Sequence, residues 1–141
     1  ISDAVVELWQ ADGKGRYRHP LDPRVGEIAG DFRGLGRAAS DLKSGYYVFE
    51  TVKPGRVKNV DGTLMAPHVS LALFARGINI HLNTRVYFAD EDSNAEDPIL
   101  KMVPPGRRKT LIAERKEGSG TAVYALDIHL QGPDETVFLA V

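Results

Sequence analysis

There is no cysteine in this sequence. That one absence removes disulfides, thiolate zinc sites and thiol nucleophiles together, and it fits a reducing cytoplasm. Long apolar runs are missing as well. Nothing approaches the roughly 20 residues that a membrane-spanning helix requires, and no secretory leader pattern opens the chain. Nor is there an excess of one charge, since 18 Lys and Arg stand against 19 Asp and Glu. Neither nucleic acid nor a membrane surface is indicated as a partner. No Gly-x-Ser-x-Gly elbow, P-loop or GxGxxG fingerprint occurs. The acidic run Asp90-x-Asp92-x-Asn94 starts like a calcium loop, but Ala95 stands where glycine is required and Lys101 where glutamate is. It reads as a solvated approach to a helix.

What is present is an ordinary globular composition, 43% hydrophobic and 26% charged, over 141 residues. That length suits one domain spanning residues 1–141 with a sizeable core. The dominant stretch is residues 65–88, MAPHVSLALFARGINIHLNTRVYF. Val69, Leu71, Leu73 and Ala75 alternate with His68, Ser70, Ala72 and Phe74, the period of a strand. After a corner at Arg76-Gly77, Ile78, Ile80 and Leu82 alternate with Asn79, His81 and Asn83, and residues 84–88 add a β-branched, aromatic run. Residues 4–10 and 45–51 read as further strands. Residues 16–36, with Pro20, Pro23 and several glycines, read as one long loop, and loops of that length tend to carry function. Asp97-Pro98 predicts an N-capped short helix ending before Pro104-Pro105-Gly106. Residues 110–117 and 122–131 predict a hairpin about Gly118-Ser119-Gly120, and residues 135–141 a final strand. Many short strands with regular turns and one short helix predict an all-β, antiparallel β-sandwich with long loops.

Several residues are chemically suggestive, each with a plainer alternative. His68 and Ser70 leave the same face of a strand, where two histidines would clamp a metal; a single histidine at a strand start is more commonly a hydrogen-bonded structural residue. Tyr17, between Arg16 and Arg18 and followed by His19, is either a loop anchor with a wet hydroxyl or a phenolate ligand favoured by its arginines. Arg76, at a glycine corner, is either solvated or a fork for a carboxylate or a partner's backbone. Arg107-Arg108-Lys109 reads as a solvated turn.

Taken together the segments resemble the intradiol ring-cleavage dioxygenases. The resemblance rests on ELWQAD (7–12), GRYRH (15–19), TVKPG (51–55), APH (66–68), FARGINIHLNTRVYF (74–88), RRKTLIAER (107–115) and DIHLQGPDETVF (127–138). FARGINI points to the alpha chain of the family's two-chain members. The family begins further upstream, so an N-terminal arm and a first strand are expected before Ile1. In the family's iron-bearing beta chain two tyrosines and two histidines hold ferric ion, because phenolates are hard donors that favour the ferric state and neutral imidazoles complete the site. The substrate, an aromatic dihydroxybenzoate, binds through its ring hydroxyls, and dioxygen opens the ring between the carbons that bear them.

By this resemblance Tyr17 matches the first tyrosine and His68 the first histidine. Val57 replaces the second tyrosine and Ser70 the second histidine. An arginine of the iron chain's site falls on Met65 and a glutamine on Arg85. The resemblance implies a chain with no catalytic residues of its own and no metal, cytoplasmic and inactive alone. Its beta partner holds the iron, and Arg76 reaches the substrate pocket. The GRYRH loop, however, is more like the iron chain's version. Two other readings therefore stay open: a self-sufficient enzyme with an iron site rebuilt from Tyr17, His19, His68 and His81, or a metal-free transthyretin-like binding module.

Overall fold

The computed structural model describes residues 2–118 and 120–140. Its strands are β1 (Val5–Trp9), β2 (Leu35–Ala39), β3 (His68–Phe74), β4 (Leu82–Phe88), β5 (Ile112–Lys116) and β6 (Val123–Ala125), with one short helix α1 (Pro98–Met102). They form a single curled sheet in the order β2-β1-β3-β4-β5-β6. The fold is all-β, as the sequence predicts.

The alternation in β3 explains why this strand is central. Val69, Leu71 and Leu73 are buried and meet Val6 and Leu8 of β1 and Val86 and Phe88 of β4 in one core. Truncating one of these leucines to alanine costs about 2–5 kcal/mol. The opposite face carries Trp9, His68, Ser70, Arg85 and Tyr87, and register places Trp9 beside Ser70, Ser70 beside Arg85, and His68 beside Tyr87.

The structure departs from the sequence reading in several places. β2 falls in part within the long loop assigned to residues 16–36; Gly36 and two alanines give it no readable period, and it forms by pairing with β1. Residues 45–51 and 126–130 are not laddered strands among the described residues. Their burial does alternate, and Tyr47, Phe49, Leu126, Ile128 and Leu130 pack onto the core as the second layer a sandwich requires. A turn at residues 76–77 and a bend at 79–80 stand in place of the first half of a strand. Gly77 adopts φ +86° and Ile78 N donates to Ala75 O, so the apolar alternation continues in sequence while the chain leaves the sheet. Finally, β4 and β5 pair in parallel, through Tyr87–Ile112 and Phe88–Ala113. The connection through α1 is long enough to bring the chain round in the same direction, which a hairpin cannot do. The β5–β6 hairpin is antiparallel as predicted. Ser119 in its turn and Val141 in the final strand lie outside the described residues, and residues 135–140 run as an unladdered segment beside β4, with Leu139 N donating to Asn83 O.

Candidate functional site

The polar face of β3 is built from two loops and one buried carboxylate. At the end of β1, Asp12 organises the first loop. Its carboxylate accepts from Lys14 N (3.0 Å), Arg16 N (2.9 Å) and Arg16 Nε (2.8 Å). Burial works against this charge, but those hydrogen bonds outweigh it and hold the carboxyl below its usual range. The Asp12 carbonyl also accepts from Gly15 N and Gly55 N, which joins the loop to residues 54–56. Contact there is so close that a Cβ on Gly15, whose φ is +76°, would sit 2.0 Å from Arg56 O. Only glycine allows this crossing. It sets Tyr17, two residues after Gly15, and Val57, two after Gly55, on adjoining segments.

Tyr17 stacks on Trp9, with ring centroids 5.5 Å apart and planes 20° apart, and its backbone N donates to Asp22 Oδ2 at 2.8 Å. Its sequence neighbours do not serve the phenol. Arg16 pairs with Asp12, and Arg18 donates to the carbonyls of Phe32 and Ala29. Burial, only partly offset by Arg85, raises the Tyr17 pKa, so the ring is a neutral phenol at pH 7. The stacked ring fits the loop-anchor alternative.

Asp97 ties down the second half of the site. It is fully buried. Oδ1 accepts from Ile99 N (3.0 Å) and Leu100 N (2.8 Å), capping α1 as Asp97-Pro98 predicts, and also from Tyr87 Oη (2.9 Å). Oδ2 accepts from Ala66 N (2.8 Å). The same Ala66 offers its carbonyl to His68 Nδ1 at 2.8 Å. A carbonyl only accepts, so Nδ1 carries the proton and Nε2 is the bare nitrogen. His68 is 3% exposed, and burial, with a further push from the Arg85 guanidinium, lowers its pKa to about 4. The cap was legible in the sequence; the reach of Asp97 to Tyr87 and Ala66 was not, since no local pattern encodes it.

Met65 N donates to Val57 O at 2.7 Å, so residue 57 lies beside the entry to β3. Tyr17, Val57, His68 and Ser70 are therefore grouped by the two loops and β3, with Met65 and Arg85 among them. Arg76 is not part of this group. It follows the far end of β3, whose length of about 20 Å separates it from His68. There it forms an exposed pair with Asp3 at 2.5 Å. His81 is at that end too, its ring 5.2 Å from Phe74, and His19 is exposed, its Nδ1 accepting from Leu21 N. Tyr17, His19, His68 and His81 do not converge on one point.

A family profile described as Dioxygenase matches residues 1–132. The chain is 46% identical over 140 residues to the protocatechuate 3,4-dioxygenase alpha chain of Pseudomonas putida, covering 98% of this chain and 67% of that one. The chain belongs to the intradiol dioxygenase family. It is also 43% identical to the corresponding alpha chain of Burkholderia cepacia, over 100% of this chain and 70% of that one. Identity to the Burkholderia cepacia protocatechuate 3,4-dioxygenase beta chain is 32%, over 96% of this chain and 60% of that one.

Intradiol dioxygenases use iron, and the residues here can be tested against it. Val57 has no donor atom. Ser70 has only a neutral hydroxyl, which leaves the Tyr17 oxygen and His68 Nε2 as the two donors of the group. Beside them Arg85 contributes a positive charge that repels a cation. Among the described residues no three His, Cys, Asp or Glu side chains come together as a metal-binding group. This donor set does not fit ferric ion.

Proposed function

We propose that the chain is the iron-free, alpha-type subunit of a protocatechuate 3,4-dioxygenase that works in the cytoplasm in aromatic-acid breakdown. It pairs with a beta chain that holds the ferric iron. The assembled enzyme opens the ring of protocatechuate between its hydroxyl-bearing carbons, and both atoms of dioxygen enter the 3-carboxy-cis,cis-muconate product. The observation that carries this reading is the altered donor set at residues 17, 57, 68 and 70. The identities of 46% and 43% to alpha chains, against 32% to a beta chain, support it. Ferric iron held by the beta chain would bind the catecholate and activate its ring toward dioxygen.

This chain's contribution comes from the other end of β3. The Arg76 side chain is 88% exposed. Around it Phe74 is 40% and Ile80 76% exposed, an apolar border suited to burial against a second subunit. Docked there, Arg76 faces the neighbour's substrate cavity rather than any site in its own chain. Its planar fork exchanges Asp3 for the ring carboxylate of protocatechuate, a charge-assisted contact.

The test is colour and turnover. Ferric ion held by tyrosinate absorbs visible light through phenolate-to-metal charge transfer. Loaded aerobically with iron, the chain alone is expected to stay colourless and leave protocatechuate intact. Mixed with the beta chain it is expected to co-purify, colour and cleave the ring. A coloured and active chain without a partner would overturn the assignment.

A further inference from the structure

Arg85 stands on the polar face of the sheet in a cross-strand row with Ser70 and Trp9. Directly opposed side chains in such a row have Cβ atoms about 5 Å apart. Tyr17 stacks on the Trp9 end of the row, and His68, two residues before Ser70, shares its face. Trp9, Tyr17, Ser70 and Arg85 are all half-buried, so the row is shielded but reachable.

Among the described residues the guanidinium of Arg85 has no counter-ion: it enters no ion pair, and it meets only neutral acceptors, Met65 Sδ at 3.4 Å and the Tyr87 hydroxyl. The nearby acids are committed elsewhere. Asp97 serves Ala66, Ile99, Leu100 and Tyr87; Asp22 serves Tyr17 N and Arg24; Asp12 serves Arg16. Tyr87, whose hydroxyl is beside Arg85, is kept neutral by burial, with the Asp97 charge adding to the effect. Ser70 Oγ and His68 Nε2 likewise have no described partner. A shielded cation without an anion is costly, and bringing one in relieves the cost.

The geometry of the row selects the anion. One planar guanidinium next to one hydroxyl suits a planar monoanion with two oxygens, a carboxylate. The other nearby cation, Arg56, is already occupied by Glu96 at 3.3 Å and by the carbonyls of Met65 and Leu64, which disfavours a multiply charged phosphate. The Trp9–Tyr17 pair beside the row offers aromatic surface to a flat apolar body. We propose that this row is a binding site for an aromatic monocarboxylate, with the carboxylate on Arg85 and Ser70 and the ring against Trp9 and Tyr17. The site belongs to this chain alone and depends neither on a beta partner nor on iron, so it stands or falls separately from the subunit assignment.

Trp9 is the one tryptophan of the chain and adjoins the row, so its emission reports occupancy directly. Titrating the isolated chain with benzoate is expected to give a saturable change in that emission, with calorimetry reading the same affinity independently. Acetate is expected to bind at least about tenfold more weakly, lacking the ring. Arg85→Gln is expected to weaken benzoate about tenfold or more, Ser70→Ala several-fold, and Arg85→Lys by an intermediate factor because it keeps the charge and loses the fork. Arg37→Ala, on the outer strand β2, removes the same charge and is expected to change nothing. Thermal melts confirm that each variant is folded. Absence of saturable binding by either readout at millimolar benzoate would overturn the proposal. So would undiminished binding by a folded Arg85→Gln, or acetate binding as tightly as benzoate.

Discussion

The two ends of β3 are finished to different degrees. At the His68 end, Asp97 satisfies three backbone N–H groups and a phenol, His68 is committed through Nδ1, and Ala66, Tyr87, Leu100 and Leu111 pack into a second, fully enclosed cluster. At the Arg76 end, a single exposed ion pair, an exposed phenylalanine and an exposed isoleucine meet solvent. Apart from the Arg85–Ser70 row, the first end is satisfied within one chain. The second is left open to solvent. The same strand thus ends in an internally bonded cluster on one side and in solvent on the other.

The largest effect expected from breaking this contrast comes from Asp97. Asp97→Ala strands Tyr87 Oη and the N–H groups of Ala66, Ile99 and Leu100, and is expected to cost roughly 3–5 kcal/mol in denaturant unfolding. Asp97→Asn keeps one acceptor oxygen and is expected to cost less than half of that. Equal, small losses would mean that the His68 end is not held by this carboxylate.

Next in size is a pH effect at the same end. His68 has a folded-state pKa of about 4 against an ordinary value of 6.5. The unfolded chain therefore takes up this proton first as pH falls. Stability is unaffected by His68 above about pH 6.5, drops between 6.5 and 4 by up to roughly 3 kcal/mol, and falls no further on its account below 4. His68→Gln is expected to flatten the profile across that window, and an unchanged profile would show that the imidazole is not shielded as described.

The smallest effects lie at the Arg76 end. Arg76→Ala is expected to change the stability of the isolated chain by less than about 1 kcal/mol, as exposed pairs do. In the complex with a beta chain it is expected to raise KM for protocatechuate roughly 10- to 100-fold while leaving unsubstituted catechol nearly unaffected. Equal losses for the two substrates would remove the carboxylate contact and with it the functional half of the comparison.

What the sequence discloses follows the range of the forces involved. β1, β3, the second half of β4 and the cap at Asp97 were legible because alternation and capping act over a few residues. Residues 45–51 were read as a strand, and Tyr47 and Phe49 do alternate onto the core, but the segment is not laddered, since a period of two reports which side chains are buried and not which backbone groups are paired. Ile78 and Ile80 misled for a related reason: the same alternation marks an apolar face whether the chain itself covers it or leaves it for another molecule. The grouping of Tyr17 with Val57 rests on two glycines that approach each other's backbone from distant segments, and nothing local announces that contact. Trp9 went unremarked as a site residue because its importance comes from the ring stacked upon it.

The central pairing of β1 with β3 also shapes how the molecule is made. β1 reaches β2 only across residues 10–34 and β3 only across residues 10–67, and those closures are entropically slow compared with forming tight hairpins or helices. During the delay the apolar row of Val69, Leu71 and Leu73 has no cover, so refolding yield is expected to fall with protein concentration well before native stability becomes limiting.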